Sequence, residues 1–239
     1  IHRIINEIDV FKNNNNLVTF IRENLNFSKE IFQCHHHSAH FASSFYTSNF
    51  EESSLYSIDG VGDYESSVSG YGKLNNIEIF DDMSVTYPIS MGLLYTAITS
   101  YLGFIPHCDE GKVMGLAPYG NKKKYEKEFH KIVNFIENGK IDFDLSYLSY
   151  PFKRGTGVSN KFIEVFGKSR NKNDEISQRF KDIAATIQFF TEETLIHGLK
   201  ALELKNNSDN LCLAGGVALN CVANGKIFER TKFKNINIQ

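Results

Sequence analysis

Apolar positions along the chain switch repeatedly between helical and strand spacing. Leu17 to Phe27 is apolar at helical spacing, and Glu30-Ile31-Phe32-Gln33 follows as a short strand. That strand feeds a histidine-rich helix running through Ala42, Phe45 and Tyr46. Ser54-Leu55-Tyr56-Ser57-Ile58 reads as a strand entering the loop Asp59-Gly60-Val61-Gly62-Asp63. Ser67 to Gly72 and Ile77 to Phe80 alternate about Asn75-Asn76, a hairpin pattern. Pro88 stands where it would open a helix striped by Met91, Leu94, Tyr95, Ile98 and Tyr101 and closed by Gly103. Phe129, Ile132, Val133 and Ile136 predict a core helix, and residues 138–172 read as an irregular insertion. A long helix over Glu175 to Leu202 precedes the buried strand Leu211-Cys212-Leu213-Ala214. Gly215-Gly216 then leads into a helix through Ile227. This succession describes an α/β protein.

Composition narrows the classes. The chain has 239 residues, 41% hydrophobic and 23% charged, with a formal charge of −2. Such a balance gives no basic stripe for nucleic acid, and Lys122-Lys123-Lys124 reads as a solvated face. Cys34, Cys108, Cys212 and Cys221 are widely spaced without a Cys-x-x-Cys, which argues against a disulfide framework or structural zinc. Cys34 is expected to be a small buried hydrophobe. No apolar run approaches the roughly 20 residues of a membrane span, and no signal peptide is visible. A cytoplasmic location is expected. The chain starts at Ile1 rather than Met, which reads as part of a longer protein.

Candidate chemistry concentrates in four places. Cys34-His35-His36-His37-Ser38-Ala39-His40 holds four of the eight histidines. Residues four apart share a helix face, so His36 and His40 can present imidazoles to one ion, and His37 can reach the same face. Imidazole suits zinc, iron, copper or nickel, and the pair needs a further ligand from elsewhere. The alternative is a polar helix start with solvated histidines. Asp59-Gly60-Val61-Gly62-Asp63 lets backbone N–H groups approach phosphate or a metal-bound anion, or is an ordinary tight turn. Glu110-Gly111-Lys112-Val113-Met114-Gly115-Leu116-Ala117-Pro118-Tyr119-Gly120 reads as a glycine-rich loop with two reactive side chains, Glu110 and Lys112. Gly215-Gly216, between strand and helix, allows the chain to lie against a nucleotide.

The order of the strings His36 to Tyr46, Asp59 to Asp63, Glu110 to Gly120 and Leu213 to Cys221 resembles the O-carbamoyltransferases of antibiotic and nodulation-factor biosynthesis. Their catalytic domain is similar to the universal tRNA threonylcarbamoyl-adenosine synthase, within the actin/sugar-kinase superfold. The resemblance implies two ribonuclease-H-like lobes: residues 1–86 as the remainder of the first and 87–239 as the second, with the insertion at about 138–172. It also implies carbamoyl phosphate and ATP as substrates, carbamoyl adenylate as intermediate, and a hydroxyl-bearing small molecule or sugar as acceptor.

Residue by residue, the resemblance implies iron(II) or another divalent transition ion at His36, His40 and Asp59. His37 becomes a third ligand or a proton-transfer group. Gly60, Gly62, Gly215, Gly216 and Asn220 hold ATP, with Mg2+ a candidate companion ion. Lys112 stabilises developing charge, and Glu110 orients it or contacts the nucleoside. Family members carry a strand and a His-Asp-Ser-type loop that would precede Ile1, and a metal-binding aspartate and a further domain beyond Gln239. The segment therefore reads as the middle of the enzyme. Two other readings stay open: a tRNA threonylcarbamoyl transferase, and a non-catalytic nucleotide-binding module of the same fold.

Overall fold

The computed structural model describes residues 17–153 and 157–239. Residues 1–16 of the expected first lobe lie outside them. The fold is mixed α/β, centred on a sheet of order β3-β2-β1-β7-β8, with β4 paired to the side of β2. Its strands are β1 (Glu52–Gly62), β2 (Glu65–Lys73), β3 (Asn76–Ile79), β4 (Val85–Thr86), β7 (Asn210–Ala214) and β8 (Asn235–Ile238). β1, β2 and β3 form an antiparallel meander, whereas β7 and β8 run parallel to β1. The sheet therefore takes strands from both sides of the boundary expected near residue 86.

Alternation along β1 sorts its side chains between two faces. Leu55 meets Phe41 and Phe45 of α1 (His36–Phe45), together with Val68 and Cys212. Tyr56 and Ile58 face the other way, toward Leu195, Leu199 and Leu202 of the 28-residue helix α6 (Gln178–Lys205). A second core, rich in Phe and Tyr, joins the first half of α6 to α2 (Met91–Tyr101) and the segments between them.

Several local expectations need correction. Glu30–Gln33 is not a strand; no strand pairs with it among the described residues, and Phe32 is 82% exposed. Cys34 is exposed, not buried. β1 continues through Gly62, so the first glycine pair belongs to the strand rather than to a loop. Pro88 follows a cis peptide bond and precedes the helix; Ser90 is the N-cap of α2 and accepts from the Leu93 N–H at 3.0 Å. Glu110–Leu116 is a helix, α3, continued by a 3₁₀ turn over Ala117–Tyr119.

The stripe after Phe129 breaks as well. A short helix α4 (Glu126–Phe129) gives way to β5 (Val133–Phe135), paired with β6 (Ile141–Phe143). Asn138 and Gly139 between them adopt φ of 59° and 70°, the left-handed pair that Asn-Gly supplies to tight hairpins. Residues of the stretch read as an insertion enter the core: Phe143, Tyr147 and Leu148 are buried in it, as are Phe162 and Phe166 of α5 (Asn160–Phe166).

Candidate active site

Helix α1 is short, and its first turn is held by the hairpin beneath it. No side chain caps it at His35; instead Asp63, just past β1, accepts the His36 N–H at 2.9 Å. Gly62 makes the close approach possible, since a Cβ there would stand 1.9 Å from the His36 ring. One helical turn brings His36 and His40 together, with ring centroids 4.6 Å apart.

Asp59 lies directly across from both. Its Oδ2 is 3.0 Å from His36 Nε2 and 3.0 Å from His40 Nε2. Its Oδ1 accepts the backbone N–H groups of Gly60 at 2.7 Å and Gly216 at 3.1 Å. Burial alone would push the Asp59 carboxyl up. The hydrogen bonds from His40, His36, Gly60 and Gly216 outweigh it and hold the group well below the usual carboxylate range. Two imidazole nitrogens and one carboxylate oxygen all lie within 4.8 Å of one another. Such a set fits a divalent transition ion with positions left for other ligands.

Next to Asp59 opens a cleft of about 400 Å³, whose walls include Gly60, Thr96, Glu110, Gly216 and Asn220. Gly215 makes the turn from β7 with φ +103°, and a Cβ there would stand 2.3 Å from the Ile58 carbonyl oxygen. Only glycine accommodates both demands. Glu110 Oε1 accepts from the Thr96 hydroxyl at 2.9 Å and from the His107 N–H at 2.8 Å. Asn220 caps the short helix α7 (Cys221–Asn224) by accepting the Ala223 N–H, and it donates to Gln188 Oε1 at 2.8 Å.

Residues 5–239 match the family described as carbamoyltransferase N-terminus. The chain belongs to that family. It is 38% identical over 206 residues to the Synechocystis protein sll1178, covering 85% of this chain and 33% of that protein. It is 33% identical to nodulation protein NolO of Bradyrhizobium diazoefficiens, with 85% and 35% covered. Nodulation protein NolNO of Sinorhizobium fredii is 34% identical, with 85% and 28% covered. The chain thus spans about a third of the length of these relatives.

Within this carbamoyltransferase N-terminus the expected site residues divide. His36, His40, Asp59 and Gly216 form one connected constellation, with Gly60, Glu110 and Asn220 lining the adjoining cleft, whereas Gly62 packs under the His36 ring and Gly215 under the Ile58 carbonyl, outside the cleft lining. His37 stands apart. It is buried, its Nε2 bonds the Glu65 carbonyl oxygen at 3.0 Å, and its Nδ1 bonds the Ser57 hydroxyl at 2.8 Å. Burial pushes its pKa down, against the Glu65 carbonyl, which raises it. Both ring nitrogens are committed to the fold, so in this conformation His37 offers none to an ion. Lys112 does not line the cleft either: its side chain is 62% exposed, and its amine pairs with Asp109 at 2.8 Å rather than with Glu110.

Sequence reasoning overlooked Thr96, His107 and Gly92, which also line the cleft. The signal for Gly92 was a small residue within an otherwise bulky helical stripe. A Cβ there would stand 2.6 Å from the Asp59 carbonyl oxygen. Among the described residues no helix is long and apolar enough to cross a membrane.

Proposed function

We propose that the parent protein is an O-carbamoyltransferase and that this chain carries its metal- and nucleotide-binding cleft. The observation that carries this reading is Asp59, whose one oxygen faces both histidines while the other receives the Gly216 N–H. A single carboxylate thereby joins a metal-ligand set to the glycine turn of the cleft. The antiparallel meander leading into two parallel strands supports a ribonuclease-H-like lobe of the actin/sugar-kinase superfold.

His36, His40 and Asp59 would hold iron(II) or another divalent transition ion. Such an ion supplies Lewis acidity toward a carbonyl or phosphoryl oxygen. The Gly215-Gly216 turn would receive the adenosine of ATP, accompanied by Mg2+, with Glu110 facing the nucleoside. Hydrolysis of carbamoyl phosphate would give carbamate and inorganic phosphate, and attack of a carbamate oxygen on the α-phosphorus of ATP would give carbamoyl adenylate with release of pyrophosphate. The acceptor hydroxyl would then attack the carbamoyl carbon and displace AMP. Lys112 can approach the substrate only by leaving Asp109.

Pyrophosphate release by the full-length protein tests the reading. Release that requires ATP and carbamoyl phosphate together is expected. Absence of pyrophosphate release, with AMP released from a threonylcarbamoyl adenylate only when tRNA is present, would replace it with threonylcarbamoyl transfer, and binding of ATP without either product would replace it with a non-catalytic module.

A further inference from the structure

His37 has no part in that chemistry, although it is the most deeply buried imidazole of the cluster. A carbonyl oxygen can only accept, so the 3.0 Å contact to Glu65 O places the proton on Nε2. Nδ1 is then bare and accepts the Ser57 hydroxyl at 2.8 Å. The two contacts fix both the tautomer and the ring plane.

Where those contacts go matters more than their number. Ser57 precedes Asp59 by two positions on β1, and residues two apart on a strand share a face. His37 follows His36 directly and precedes His40 by three residues. Helix α1 is therefore tied to one face of β1 at two successive levels, through His37 at Ser57 and through His36 and His40 at Asp59. Glu65 adds a second hold, since its side chain accepts from His35 Nε2 at 3.0 Å while its carbonyl takes His37. Rotation or sliding of α1 over β1 that moved His36 and His40 away from Asp59 would also have to break the His37 contacts.

We propose that His37 is a positioning residue of the metal centre: through Ser57 and Glu65 it sets the angle at which α1 presents His36 and His40 to the ion. The inference rests on the metal reading of His36, His40 and Asp59. Outer partners that orient ligands typically contribute ten- to hundredfold in metal affinity.

Full-length protein titrated with Co2+ tests it, read by dissociation constant and by the visible absorption of the bound ion. His37→Phe keeps a ring and removes both contacts. About tenfold or greater weakening and an altered Co2+ spectrum are expected. His37→Gln, which can again donate to Glu65, should recover part of the affinity. Ser57→Ala, which leaves every histidine in place, should move both readouts in the same direction and serves if His37→Phe does not fold. Unchanged affinity and spectrum in folded Ser57→Ala or His37→Phe, with only the melting temperature lowered, would overturn the proposal and leave His37 a packing residue. Failure of the unmodified protein to bind Co2+ would instead overturn the metal reading, and this inference with it.

Discussion

Gly216 donates its backbone N–H to Asp59 Oδ1 at 3.1 Å, the carboxylate oxygen not shared by the two histidines. The turn after β7 and the start of α1 are therefore linked through one side chain, although they lie more than 170 residues apart. A Cβ at position 216 would come within 2.8 Å of that same oxygen. Gly216→Ala is expected to displace the carboxylate and weaken metal and ATP binding together, each by about tenfold. Isothermal titration with each ligand checks this, and loss of ATP binding alone would separate the glycine turn from the metal set.

The Asp59 carboxyl also sets an acid limb in stability. Its native pKa is held below the ordinary value, so its contribution is fully present above the unfolded value of about 3.9 and is lost as pH falls through the native value. Urea denaturation of metal-free wild type and Asp59→Asn should show the largest gap above about pH 5, narrowing steadily toward pH 2. A gap that stays constant over this range would mean that the hydrogen bonds around Asp59 do not favour its ionised form.

Glu110 and Lys112 sit two residues apart and should behave differently. Glu110 faces the cleft with Oε1 already fixed by Thr96 and His107, which leaves its other oxygen to meet a ligand. Glu110→Gln should weaken ATP binding by about tenfold, the scale of a lost charge-assisted hydrogen bond. Lys112→Ala removes an exposed ion pair with Asp109, and ATP affinity should stay within about twofold. Equal losses in calorimetric titrations of the two variants would bring Lys112 into the nucleotide site.

The metal candidates were legible because their signal is local. A His-x-x-x-His spacing needs only helical geometry, and an aspartate at the end of an apolar strand run marks the edge of a cleft. Asp59 reaching Gly216 was not legible, since parallel pairing of β1 with β7 is decided by tertiary packing. Helix α3 was hidden by its own composition. Gly111 and Gly115 each cost about 1 kcal/mol in a helix, so the segment reads as a loop. In the structure neither glycine has a neighbour within 4 Å of where its Cβ would be, and Gly111 lines the open cleft. Helix α5 has only seven residues, too few for its period to stand out, yet it places Phe162 and Phe166 in the core. His37 resembled its neighbours in sequence; only its burial against Ser57 and Glu65 distinguishes it.

Metal retention by the full-length protein, purified without chelators and assayed by elemental analysis, tests the centre most directly. Wild type should carry on the order of one divalent transition ion per chain, with iron expected first. The His36→Ala/His40→Ala double variant, shown to be folded by circular dichroism, should retain less than about a tenth of it, since carboxylates without the imidazoles are a poor ligand set for a transition ion. Equal metal content in the double variant and wild type would contradict the assignment of His36, His40 and Asp59.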